Sequence, residues 1–209
     1  MSDVRYQYAG AWRSDTCSVV TGGLDRPELP WSDDYAERVF NCEFPPVPSR
    51  DKDLPSIEVF AVLQQVDGAP TAVADFQNLG HTVRIDFLDA NGWPELLYYF
   101  LDINGRSLFD KGGVLRPGDL FLTNIIAIEY SGEKDRYGNP VKKSELHWTH
   151  RNSGGIEVSA MIDDPDNPYN GPASLEVDVS GDGFWEPVAT FGDWDRWFLR
   201  DRPGVPGCD

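Results

Sequence analysis

The side chains best spaced for chemistry in this chain are a short run of oxygen donors. Asp178, Ser180 and Asp182 fall at alternate positions ahead of Gly183, the spacing by which a loop turns hard ligands toward a calcium ion. The helix–loop–helix form of such a loop closes with a bidentate glutamate at the twelfth position, where this chain has Ala189. Glu186 would serve only in another geometry, and a polar hairpin turn accounts for the same residues. Calcium is therefore the one cofactor suggested, and otherwise none is expected.

The histidines form no ligand set. Three residues apart on a strand, His147 and His150 point to opposite faces, which leaves Glu145 and His147 to share one, and His81 is remote in sequence. No Gly-x-Ser-x-Gly elbow, phosphate-cradling loop or dinucleotide fingerprint occurs. Cys17, Cys42 and Cys208 are odd in number and lack CxxC spacing, which suits a reducing compartment, although a Cys17–Cys42 bridge stays open. With no nucleophile beside a base, the sequence leans away from an enzyme.

A denser signal lies near the end of the chain. Phe184, Trp185, Phe191, Trp194, Trp197 and Phe198 are interleaved with Glu186, Asp193, Asp195, Arg196 and Arg200. Tryptophan and arginine dominate interface hot spots, so Trp185, Trp194, Trp197, Phe198 and Arg196 are candidate contact residues. The alternative, expected for half of the rings, is that they close the end of the core.

The elements that must position these residues are mostly strands. From Ile57 onward, β-branched and aromatic runs alternate with turn residues. Strands are predicted over Ile57–Val66, Thr71–Asn78, His81–Asp89, Glu95–Ile103, Arg106–Asp110, Leu120–Tyr130, Lys142–His150, Ile156–Ile162, Ser174–Val179 and Trp185–Phe191. The segment Phe87-Leu-Asp-Ala-Asn-Gly92 is echoed by Phe100-Leu-Asp-Ile-Asn-Gly105, and each copy reads as a strand entering a hairpin. Thr82 to Asp110 is then a meander; the competing reading is a helix over Pro94–Leu101. Arg116-Pro-Gly-Asp119 and Ser180-Gly-Asp-Gly183 signal further bends, and the stretches Ser131–Pro140 and Asp163–Pro172 read as exposed loops.

Residues 1–56 carry Gly22-Gly23, Pro27, Pro30, Pro45, Pro46, Pro48 and Pro55, and read as an irregular arm. Within it Ser32 can cap a short helix over Asp33–Phe40. Residues 57–200 are expected to form one β-sandwich, jelly-roll or barrel, mainly antiparallel, and residues 201–209 an extended tail. The class is all-β with about ten short strands.

Two local resemblances bear on this choice. Arg116-Pro-Gly-Asp119-Leu-Phe-Leu resembles the turn-then-strand element of cupin barrels, but the paired histidines and following glutamate of that family are not nearby. It implies a jelly-roll and no site. Gly10-Ala11-Trp12 is similar to the Gly-x-Trp of lipocalins, which implies a ligand-holding barrel.

With 35 acidic against 18 basic side chains, the net charge of −17 repels a phosphate backbone, so direct nucleic-acid binding is not expected. The same field favours a basic partner. No window approaches a membrane span, and the start has no apolar h-region of a signal peptide, so a cytoplasmic or virion location is expected. Three functions follow. The first is a non-enzymatic structural or adaptor protein of a larger assembly, such as a phage virion component, touching other proteins or copies of itself. The second is an acidic inhibitor or immunity protein of a basic toxin or enzyme, meeting it through Asp163-Asp164-Asp166 and Asp193-Asp195. The third is a ligand-binding or cyclase-like β-barrel enzyme.

Overall fold

The computed structural model describes residues 3–13, 18–20, 31–41, 59–77, 81–104, 115–162, 173–178 and 180–202. The elements are β1 (Val4–Ala9), β2 (Ala11–Arg13), β3 (Ser18–Val20), α1 (Asp33–Phe40), β4 (Val59–Val66), β5 (Ala69–Gln77), β6 (Thr82–Leu88) and β7 (Pro94–Leu101). They continue with β8 (Asp119–Lys134), β9 (Pro140–His150), β10 (Ile156–Ile162), β11 (Ala173–Val177) and β12 (Trp185–Pro187). One sheet runs in the order β1-β4-β5-β6-β7-β8-β9-β10-β11, with β12 pairing the start of β8; β2 and β3 make a separate ribbon.

The all-β, antiparallel class with about ten sheet strands and one helix holds. Because β1 and β11 end the sheet instead of pairing, it is open, and the barrel alternative is corrected together with the lipocalin-like barrel. From β4 to β11 the strands follow in sequence order as a meander. Pro94–Leu101 is a strand and not a helix, as its aromatic content favours. The expected strand Arg106–Asp110, residue Val179 and all three cysteines lie outside the described residues.

Three of the hairpin loops share one geometry. In Asp89–Trp93, Asp135–Asn139 and Arg151–Gly155, the first N–H donates to the fifth carbonyl at 2.8, 2.8 and 3.1 Å. The fourth residue is glycine each time, its N–H reaching back to the first carbonyl at 3.0 Å, with φ of 81°, 87° and 97° at Gly92, Gly138 and Gly154. Only glycine enters that left-handed region without strain. Asn91 has no positive φ, so the Asn-Gly pair works through its glycine alone. In its echo, Asp102 likewise accepts from the Asn104 N–H at 3.0 Å; Gly105 lies outside the described residues.

The expectation of an irregular arm over residues 1–56 is corrected at its start. Val4–Ala9 pairs with β4 from Val4 opposite Val66 to Ala9 opposite Ala61. The prolines that argued for irregularity begin at Pro27, while Val4, Tyr6 and Tyr8 alternate with Arg5 and Gln7 as a strand requires. The helix spans Asp33–Phe40 as predicted. Ser32 Oγ accepts from the Tyr35 N–H at 3.3 Å, and Asp33 and Asp34 sit at the positive end of the dipole.

One face of the sheet carries the main core: Tyr8, Phe60, Val62, Ala74, Phe76, Val83, Ile85, Tyr98, Phe100 and Ile125. It is covered by α1 through Ala36, Val39 and Phe40, and by the segment 184–202. The predicted strand Trp185–Phe191 stops at Pro187, and the chain then turns to lay Phe191, Trp194 and Trp197 across the sheet. The Trp194 ring lies 5.4 Å from Phe76 and 6.0 Å from Phe60, and Trp197 meets Phe100 edge-on at 5.3 Å. Both geometries are favourable aromatic packing.

Candidate functional site

The opposite face of the sheet carries a small apolar cluster of Ala9, Ala61, Val73 and Leu88 and, beside it, a polar row. Antiparallel register sets Asp75 opposite Arg84, Arg84 opposite Tyr99, Tyr99 opposite Asn124 and Asn124 opposite Thr149. Residues directly opposite share a face, so five adjacent strands line up hydrogen-bonding side chains. Asp86, one pleat along, is only 1% exposed, and Arg84 grips both of its oxygens at 2.6 and 2.7 Å. Burial raises the Asp86 carboxyl above its ordinary range, and Arg84 offsets part of that rise. For Arg84, burial opposes the charge, but the adjoining Asp86 outweighs it and the guanidinium titrates above its usual range.

Beside this row lies a groove of about 430 Å³. Its floor is Leu97, Ile126 and Ile128; Arg84 and Tyr99 stand at one end, and Pro94, Tyr130, Pro140 and Lys142 at the other. The register of β8 and β9 shifts between Glu129 and Tyr130 and again by Lys134, which bends the long hairpin at this end. Tyr130 is anchored there by a 2.7 Å hydrogen bond from its hydroxyl to the Pro94 carbonyl. Glu145 accepts from Lys142 and lies 3.0 Å from His147 Nε2. Burial works against the Glu145 carboxylate, yet these two partners hold it below its usual range. Burial raises the Tyr99 phenol, which stays a protonated donor.

Glu145 and His147 thus share a face as the sequence implied, and His150 points into the core, where burial pushes it down to about 4. His81 stands apart, its Nδ1 2.9 Å from an Asp102 oxygen. The proposed calcium loop keeps Asp178, Ser180 and Asp182 around one cleft of about 250 Å³ with Asn152. Ser180 caps a 3-10 turn over Gly181–Phe184, and Asp182 is paired with Arg116 at 2.9 Å. Among the described residues no group of three or more His, Cys, Asp or Glu is placed to hold a metal.

The aromatic contact residues are placed in the core. Trp194 and Trp197 are 1% and 0% exposed, Trp185 and Phe198 are buried, and none presents a ring to a partner. Arg196 is half-buried, donating to the carbonyls of Pro187 and Val188 at 3.2 and 3.0 Å and pairing with Asp193. Asp195 accepts from the Tyr6 hydroxyl, which holds that phenol at about 12, burial being the larger cause. Of the acidic clusters offered to a basic enzyme, Asp193 and Asp195 are therefore engaged within the chain, and Asp163, Asp164 and Asp166 lie outside the described residues. Sequence reading missed the groove, whose parts come from four strands.

No known protein family, curated protein or solved structure matches this chain. Among the described residues no helix is long and apolar enough to cross a membrane.

Proposed function

We propose that the protein acts by contact and not by catalysis, as a structural or adaptor component of a larger protein assembly, adding a basic strand of a partner to the outer edge of β11. One observation carries this reading. The core row Tyr98–Ile125–Trp148–Val158 continues across the sheet to Leu175, and exposure rises from 0% at Tyr98 to 65% at Leu175. Among the described residues nothing pairs with the outer edge of β11. Val177, also exposed, faces the same way. An unpaired edge of this kind is a template for another strand.

The opposite face of the same edge is acidic. Glu157 and Glu176 stand opposite one another, both exposed and sharing Arg151. A strand with apolar residues facing Leu175 and Val177 and lysines or arginines alongside Glu176 completes both faces at once. The net charge of −17 speeds the approach of such a strand and discourages pairing of two copies of this chain.

The test is hydrogen exchange at β11 with a synthetic peptide of alternating valine and lysine, and with its valine–glutamate counterpart. Slowed exchange at the outward-facing Ser174 and Glu176 amides with the first peptide alone supports the reading. Unchanged exchange with both peptides sinks it.

A further inference from the structure

The groove on the polar face carries an inference independent of the β11 edge. Its hydrogen-bonding capacity is lopsided. Both oxygens of Asp86 are taken by Arg84, and Glu145 is taken by Lys142 and His147. The donors are less occupied. Arg84 uses Nε and one Nη of the five N–H bonds a guanidinium carries, and Lys142 has one partner for three N–H bonds. The Tyr99 hydroxyl has no hydrogen bond to another described residue.

Between these donors the surface is apolar and flat. Leu97 and Ile126 are directly opposite on β7 and β8, with Ile128 one pleat further, and the rings of Tyr99, Tyr130, Pro94 and Pro140 bound them. The volume of about 430 Å³ falls within the range of small-molecule sites, which combine apolar walls with a few convergent polar groups. We propose that this groove binds a small aromatic acid, its ring body over Leu97, Ile126 and Ile128 and its anionic group taken up by the unused donors of Arg84 and Tyr99 at one end.

The overall charge of −17 does not forbid an anion here. Exposed charges more than about 8 Å away are largely screened at physiological salt, whereas the donors act at contact and from partly desolvated positions. A neutral ring molecule would fill the apolar floor and leave the donors unanswered. A cation would meet carboxylates whose oxygens are already engaged.

The probe is anilinonaphthalene sulfonate, an aromatic acid that brightens when desolvated, with phenylnaphthylamine as its neutral counterpart. Fluorescence titration of the full chain should give saturable binding of the sulfonate at one site. Tyr99→Phe, which strands no buried charge, should weaken it about tenfold, the effect of a lost donor contact. Ile128→Lys should abolish it, and Leu175→Lys, at the distant β11 edge, should leave it unchanged. Circular dichroism of each variant checks that the sheet is intact. Binding that survives Ile128→Lys, equal affinity for the neutral dye, or loss with Leu175→Lys would each overturn the proposal.

Discussion

Arg84 and Asp86 stand two apart on β6, facing the same way, and their side chains meet end to end through two hydrogen bonds of 2.6 and 2.7 Å. The carboxylate is the deeper partner: its side chain is 2% exposed against 26% for the arginine. Removing the arginine therefore leaves a buried, uncompensated charge, while removing the aspartate frees a guanidinium that can reach water.

Arg84→Ala is expected to cost about 3 to 5 kcal/mol at neutral pH, the penalty of breaking a buried pair from one side. Without its partner the Asp86 carboxyl rises further above its unfolded value. The folded chain then holds a proton that the unfolded chain has released, so the deficit relative to wild type shrinks as pH falls through the raised folded value. Urea unfolding of both proteins at neutral and mildly acidic pH measures this, and a deficit that grows on acidification contradicts it.

His150 supplies an opposite pH signature. Burial against the Phe184 ring, 4.2 Å away, lowers it from 6.5 to about 4, and among the described residues neither ring nitrogen has a hydrogen-bond partner to offset that. Between those values the unfolded chain takes up a proton that the folded chain refuses, so stability falls as pH drops through the window. At ~1.36 kcal/mol per pH unit the loss is about 3 kcal/mol. The slope should be absent in His150→Phe. A mutant whose midpoint still falls in parallel with wild type would remove His150 from the account.

The tryptophans separate core from contact surface. Trp197→Ala should lose about 3 to 5 kcal/mol in chemical denaturation, with Trp197→Phe recovering a good part because edge-on packing with Phe100 can persist. A stability change below about 1 kcal/mol for the alanine variant would mean that the ring is not part of the core.

At the tip between β6 and β7, the Asp89 carboxylate accepts from the N–H groups of Asn91 and Trp93, both at 2.8 Å, and from the Asn91 amide. Asp89→Ala should cost about 1 to 2 kcal/mol, while Asp89→Asn, which keeps one acceptor, should cost less. Thermal unfolding of the two variants gives the comparison; equal losses would show that the backbone alone holds the loop.

These residues also mark what could be read from sequence. The helix Asp33–Phe40, the Asp89 loop and the strands from β4 to β10 depend on neighbours within a few positions, so composition and alternation sufficed. Val4–Ala9 was legible too, but prolines far downstream of it coloured the whole segment. The groove was not legible, because Arg84, Tyr99, Ile126 and Lys142 meet through the register of four strands, and register leaves no local mark. The C-terminal aromatics were ambiguous for another reason: crowding of large rings fits a buried cover and an exposed contact equally, and only the position of the chain relative to the sheet decides.

The cover formed by residues 184–202 also imposes an order on folding. From β4 to β11 each strand pairs with the one just made, so these contacts close short loops and form early. The apolar side of that meander stays wet until Trp194 and Trp197 arrive from more than a hundred positions beyond Phe60 and Phe76. The cover is thus the part of the core that closes the longest loops, and its docking carries the largest closure entropy. Substitutions that loosen this segment bare an aromatic face on a sheet that is otherwise paired, the kind of surface that favours aggregation.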